Sequence, residues 1–541
     1  MKDDHRFSDH GGDWYSFLEE YGCLPLDFSA SVSPLGLPES ARDAARSALS
    51  ESARYPDPAC RALRKEIAKE YRVPSEWILC GNGAADIIYR IAYAARPRRA
   101  LLMAPCFAEY ERALRRAGAE VDFYFPDALS KGRNTIGSEP EWWAQGPCEA
   151  EVKVRLETAD VPETAGVPEV VSGLENPAVR DSDAMWSQGF RITDVSRFLG
   201  HIHPDTDMIM LGEPNNPTGL CTDRVVLTQI ADFCEARGIR LVLDECFMDF
   251  AEDGEERSWL HRWRLLREKG DTWLQDDLQE EGENRVRDNL QEEEKEELRD
   301  NLQEEEKEEL QDENSAEDMA GCREPIRYRN VCVVRAFTKF YGMAGLRLGW
   351  CAIPDREFRR EVILAGPPWS VSCMAQAAGI AALGDHAYRT LLREMIGEER
   401  PRLVKGLQEL GFFVLPGEAN FLMFYVSEDL YSGKDRNASA FPPCREGGGA
   451  PSSLLSCYPP ETGGPIYERT GPADICELLR PYGIMIRDLR SFYGLGPGWY
   501  RTAVRTEEEN ERLLEALLEI FGLIRDRDEE NLPGEYQSGS E

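Results

Sequence analysis

Histidine is scarce in this chain, with six residues in 541, and no Cys-x-x-Cys pair occurs among its 15 cysteines. The odd number and scattered positions of the cysteines argue against a zinc ribbon and against a disulfide framework. His201 and His203 form an H-x-H, but no further ligands cluster near them, so they read as part of a polar loop. Long hydrophobic runs are missing too. Nothing is long enough to span a bilayer, and the N-terminal MKDDHRFSDHGGDW lacks the apolar core of a leader peptide. Basic charge is in deficit, with 63 Lys and Arg against 99 Asp and Glu, a formal net charge of -36. Such a surface repels nucleic acid and anionic membrane, so neither is expected as a partner. These absences lead to the expectation of a reduced, cytoplasmic, soluble protein.

What is present is enough to build a large core. The chain is 42% hydrophobic, and its length suggests about two to four domains. Four short apolar runs, RALLMAP (99–105), MIMLGEP (208–214), IRLVLDE (239–245) and NVCVVRAF (330–337), read as strands. Amphipathic stretches lie between them, such as VLTQIADFCEARG, whose final Gly238 suits a helix stop. Strand and helix in alternation imply an α/β fold with a mainly parallel sheet covered on both faces.

Three segments break this rhythm. About 127–188 is rich in Glu, Pro and Gly. About 252–324 is acidic and repeats RDNLQEEEKEEL at 287–298 and 299–310. About 427–465 is rich in Gly, Pro and Ser. The charge is concentrated in the second of these: 276–318 holds 21 acidic and 5 basic residues. A 12-residue period turns the leucine stripe by about 120° per repeat, so no coiled-coil seam forms. The tract reads as a solvated helix or as disorder.

In an open parallel sheet, ligands sit beyond the carboxyl ends of the strands. The residues that follow the four strands are Pro105-Cys106-Phe107, then Asn215-Asn216-Pro217-Thr218-Gly219, then Asp244-Glu245, then Thr338-Lys339. An aromatic, an amide, a carboxylate and an amine share one rim. Individually each has a bland explanation: core packing, a turn, a helix cap, a solvated lysine. A carboxylate that ends LVLD, however, is costly to bury without a partner. Pyridoxal phosphate needs this set: an amine for its aldehyde, a carboxylate for its ring nitrogen, an amide for its phenolic oxygen and an aromatic for its ring face. The segment CGNGAADIIYRIA, with Gly81 and Gly83 ahead of a helix beginning near Ala84, suits its phosphate, and Arg347 adds a fixed cation.

PNNPTG together with TKFYGMAGLRLG resembles the fold-type I pyridoxal-phosphate enzymes of the class I/II aminotransferase family. The resemblance implies an aspartate aminotransferase-like fold, with a large domain whose mainly parallel sheet is sandwiched by helices and a smaller α+β C-terminal domain. It places an N-terminal arm at 1–45, the large domain at 46–365, the small domain at 366–525 and a polar tail at 526–541. It implies that Lys339 is the Schiff-base lysine, that Asp244 pairs the ring nitrogen, that Asn216 meets the phenolic oxygen and that Phe107 stacks on the ring. Gly83, Ala84, Ala85, Thr338 and Arg347 would hold the phosphate. Tyr55, in ARYPDP, would reach the cofactor phosphate of a neighbouring subunit, which makes a homodimer with shared active sites.

The same resemblance implies a small phosphorylated amino acid or amine as substrate, with Arg501 on its carboxylate, Arg487 near its distal anion and His10 near its phosphate. Two branches compete: threonine-phosphate decarboxylases of cobalamin biosynthesis and histidinol-phosphate aminotransferases. His10-Gly11-Gly12, Asp27-Phe28-Ser29-Ala30, FAEY (107–110), DECFMDF (244–250) and PPWSVS (367–372) resemble the first. Departures from the family pattern are Phe247 for a frequent tyrosine, Ala336 for Ser or Thr, and Ser31 and Ser372 for asparagines. A non-catalytic interaction protein on the same fold is the alternative from another class; the intact Lys339 argues against it.

Overall fold

The computed structural model describes residues 11–126, 189–268, 327–427 and 474–530, with the side chains of 522–530 left aside. His10, the tandem repeat and nearly all of the three interrupting segments lie outside the described residues.

The strands are β1 (Leu26–Asp27), β2 (Ile78–Gly81), β3 (Arg99–Met103), β4 (Glu120–Tyr124), β5 (Thr206–Gly212), β6 (Arg240–Asp244), β7 (Val331–Ala336), β8 (Gly349–Ala352), β9 (Phe413–Leu415), β10 (Phe421–Tyr425), β11 (Ile484–Met485), β12 (Arg487–Asp488) and β13 (Trp499–Ala503). The large sheet runs β2-β8-β7-β6-β5-β3-β4. It is parallel from β7 through β4, while β8 is antiparallel to both β2 and β7. All four runs expected to be strands are strands. Every residue of β7 is buried, and so is all of β5 except Asp207, as befits central strands covered on both faces.

The covering helices form for local reasons. The helix Arg224–Arg237 starts where the Asp223 side chain accepts from the N–H groups of Val225 and Val226, at 2.8 and 3.3 Å. It ends at Gly238, whose φ of +68° is free of Cβ strain. The helix Gly83–Ala95 buries Ile87, Ile88 and Ile91 beneath the sheet, each worth roughly 1.5–3 kcal/mol when removed from water.

A second sheet, β12-β13-β10-β9, is antiparallel and forms the small-domain layer. The N-terminal segment is tied to it. β1 pairs in parallel with β11, and the Ala503 N–H donates to the Phe28 carbonyl at 2.9 Å. The second interrupting segment starts later than the sequence suggests. Residues 259–268 are helical, and Trp259, Leu260 and Trp263 are buried in the main core. Their charged neighbours disguise a helix with one apolar face. The helix Glu507–Glu530 likewise runs through the first residues of the expected polar tail. Among the described residues, no helix is long and apolar enough to cross a membrane.

Candidate active site

The carboxyl ends of β3, β5, β6 and β7 open into one cavity of about 390 Å³. Phe107, Asn216, Asp244, Thr338 and Lys339 line it. Ala84 and Ala85 join from the first turn of the helix that follows β2, and Arg347 joins from the segment before β8. Gly11, Ser29 and Ala30 enter from the N-terminal segment, and Arg487, Phe492 and Arg501 from the small domain.

Lys339 sits on the single helical turn Phe337–Phe340 that follows β7. Burial pushes its amine down to about 8, with Arg501 and Arg347 adding to the effect and Cys246 and Asp27 opposing it. An amine shifted this way has a substantial neutral fraction near physiological pH, the form able to attack a carbonyl. Its Nζ lies 5.8 Å from the centre of the Phe247 ring.

Asp244 closes β6, and each of its oxygens accepts a hydrogen bond. The Tyr110 hydroxyl donates to Oδ2 at 2.6 Å, and the Cys246 N–H donates to Oδ1 at 3.0 Å. On the opposite wall, Arg501 donates to Asn216 Oδ1 at 2.5 Å and to the Ser29 carbonyl at 2.9 Å. Its Nε is buried and has no hydrogen-bond partner among the described residues. Burial, then the neighbouring Arg487, push the Arg501 guanidinium down to about 9. It therefore remains cationic at neutral pH, as arginine does in proteins generally.

The turn after β2 is built around glycine. Gly83 has a φ of +82°, and a Cβ there would lie 2.7 Å from Arg347 Nη2. A Cβ on Gly349 would lie 2.6 Å from the Ala84 nitrogen. Strand β8 and the helix start are thus packed backbone to backbone, with the Arg347 guanidinium against Gly83. This cradle joins a helix N-terminus to a cation, which fits a phosphate. A half-buried amine, a carboxylate held at a strand end and a buried arginine nitrogen in want of an acceptor complete a donor set that fits pyridoxal phosphate and an anionic substrate.

Not every residue singled out from the sequence meets the cavity. Tyr55 is 80% exposed and stacks on Trp369, with ring centroids 4.6 Å apart. Ser372 caps the helix Cys373–Leu383 by accepting from the Ala375 N–H at 3.1 Å. Ser31 is buried and its hydroxyl has no partner among the described residues. Phe247 and Ala336 do line the cavity. Sequence reasoning gave no role to Tyr110, Ser29, Cys246 or Phe492. Tyr110 stood in a quoted motif, one helical turn beyond Phe107, and that spacing was the only available signal.

The family model described as aminotransferase class I and II matches residues 25–133 and 186–517. The threonine-phosphate decarboxylase of Salmonella typhimurium is 27% identical over 518 residues, covering 95% of this chain and 97% of that one. A histidinol-phosphate aminotransferase of Cupriavidus pinatubonensis is 25% identical over 424 residues, covering 78% and 79%. Among solved structures, the histidinol-phosphate aminotransferase of Sinorhizobium meliloti in complex with pyridoxal-5'-phosphate superposes with a TM-score of 0.54 at 16% identity, covering 94% and 95%.

Proposed function

We propose, from the premise that this chain belongs to the class I and II aminotransferase family of pyridoxal-phosphate-dependent enzymes, that it decarboxylates L-threonine O-3-phosphate to (R)-1-aminopropan-2-yl phosphate in cobalamin biosynthesis. The observation that carries this reading is the pair of guanidiniums, Arg487 and Arg501, on one wall of the cavity beside Gly11 and Ser29. Threonine phosphate brings two anionic groups, a carboxylate and a phosphate, whereas histidinol phosphate brings one. The match to the Salmonella decarboxylase over nearly the full length of both chains supports the same choice.

Pyridoxal phosphate, when bound, supplies an aldehyde that reacts with amines and a cationic ring that accepts the electron pair of a breaking bond at Cα. The protein's share is orientation and proton control. Lys339 would offer the amine that holds the cofactor aldehyde. Asp244 would pair the ring nitrogen, Asn216 would meet the phenolic oxygen and Phe107 would stack on the ring. Gly83, Ala84, Ala85, Thr338 and Arg347 would hold the phosphate. Arg501 would hold the substrate carboxylate, the group that leaves as carbon dioxide, and fix its orientation at Cα. Arg487 and His10 serve the substrate phosphate. Lys339 would take up the proton that the substrate ammonium gives up and deliver it to Cα in place of the departing carbon dioxide. Tyr55, exposed beside Trp369, reaches the site of a second copy in a cytoplasmic homodimer.

Transamination of a substrate such as histidinol phosphate is the second reading, favoured by the Cupriavidus match. Product analysis separates the two. Labelled carbon dioxide released from L-threonine phosphate without a keto-acid acceptor supports decarboxylation. Conversion of histidinol phosphate that depends on an acceptor, with no carbon dioxide from threonine phosphate, replaces that reading with the second.

A further inference from the structure

Tyr110 has no part in the chemistry described so far, yet it touches the carboxylate on which that chemistry turns. It lies three residues after Phe107, on the first turn of the helix Ala108–Arg116, and is 3% exposed. Its ring meets Phe107 edge-on, at 5.6 Å between centroids and 86° between planes. Its hydroxyl crosses to β6 and donates to Asp244 Oδ2 at 2.6 Å.

The crossing needs space, and the strand between supplies it. Gly212 pairs with Asp244 in the β5–β6 register. A Cβ on Gly212 would stand 3.4 Å from the Tyr110 hydroxyl and 3.1 Å from the Asn215 Cα. Glycine at this position leaves the line from phenol to carboxylate open. The phenol remains a donor because burial, and then the Asp244 charge, push its ionisation well up.

We propose that Tyr110 is a positioning residue: its hydroxyl locks the orientation of the Asp244 carboxylate, so that the carboxylate stays turned towards the ring nitrogen of the bound cofactor. The inference rests on the reading of Asp244 given above. A carboxylate with both oxygens engaged, one by the Cys246 N–H and one by a phenol, cannot rotate, and part of its charge is neutralised through short charge-assisted bonds. Without the phenol, the carboxylate is free to turn away from the ring nitrogen, which loosens its hold on the ring and weakens the electron sink.

The test is the absorbance of the cofactor-loaded enzyme as a function of pH, measured with kcat and KM. The groups facing Tyr110 are Asp244 and Cys246 from the end of β6 and Cys106 from the loop after β3. Those facing Lys339 are Arg501, Cys246, Arg347 and Asp27. Tyr110→Phe keeps the ring and its packing against Phe107 and removes only the hydroxyl. A hydrogen bond to a charged group is worth roughly one to two pH units. The expected results are a colour-change midpoint raised by about one unit, a kcat lowered roughly tenfold, and a substrate KM nearly unchanged. In case Tyr110→Phe folds poorly, 3-fluorotyrosine at position 110 provides a stronger donor that should move the midpoint down. An unchanged midpoint in both overturns the inference. Asp244→Ala separates the two levels. If it alters colour and turnover while Tyr110→Phe alters neither, the Tyr110 role falls alone. If Asp244→Ala behaves as wild type, the reading of Asp244 falls and takes the inference with it.

Discussion

Arg487 and Arg501 are direct register partners across the β12–β13 pair, so two guanidiniums share one wall of the cavity. Like charges so placed repel, and burial sharpens the repulsion. Anions relieve it. Arg501→Ala should lower kcat/KM for threonine phosphate by about 10- to 100-fold, the worth of a charge-assisted hydrogen bond. Arg487→Ala should raise KM more than it lowers kcat. Steady-state kinetics on both variants checks this, and equal losses for substrates with one and with two anionic groups would count against the assignment.

The lowered amine of Lys339 makes two separable predictions. The protein without cofactor should take up pyridoxal phosphate at a rate that climbs with pH around a midpoint near 8, because only the neutral amine attacks the aldehyde. Lys339→Ala should abolish the adduct that borohydride fixes. A depressed amine pKa also costs the folded state at pH values below that midpoint. Cofactor-free Lys339→Met should therefore melt above the wild type at pH 6. The gap should narrow as pH rises past 8 towards 10.5, the ordinary lysine value. Thermal denaturation across that range measures it.

Strand ends were legible where an apolar run met a group that such a run does not ordinarily carry. Asp244 after LVL and Lys339 after VVRAF are cases, because one backbone path decides both the strand and the placement of the next side chain. Strand β8 was not legible. GWCA is four residues long and shows no alternation, and it becomes a strand only because β2 and β7 leave it a slot. The Arg487–Arg501 pairing was hidden for a similar reason, since the register of a two-residue strand is set by its neighbours. Tyr110 and Asp244 are 134 positions apart, and nothing in FAEY distinguishes a tyrosine that packs from one that also donates.

Gly83 should not tolerate a side chain. At a φ of +82° an alanine is strained, and its Cβ would displace the Arg347 guanidinium from 2.7 Å. Backbone strain of this kind costs roughly 1–3 kcal/mol. Gly83→Ala should therefore melt several degrees lower, and it should bind pyridoxal phosphate at least about tenfold more weakly, since a misplaced Arg347 forfeits a charge-assisted bond. Equilibrium dialysis of the cofactor checks the second part independently of activity.

Glu213 offers a sharper test, because it is a buried carboxyl on the loop that carries Asn216. It follows β5 directly and accepts from the Thr222 N–H at 2.7 Å and from the Thr222 hydroxyl, closing the loop between. Burial pushes its ionisation up to about 7, the two Thr222 hydrogen bonds resist, and the charges of Glu245 and Glu418 add to the rise. A carboxyl raised in the folded state stabilises fully below its ordinary value of 4.5. That contribution is lost as pH climbs through about 7. Glu213→Gln stays neutral at every pH and preserves an acceptor for Thr222. The variant should match the wild type at pH 5 and exceed it at pH 8 by on the order of 3 kcal/mol, as a shift of this size implies. Urea denaturation at the two pH values gives the difference directly. A wild-type stability that does not decline relative to Glu213→Gln between them would mean that Glu213 is ionised throughout, with its charge met by the Thr222 donors alone.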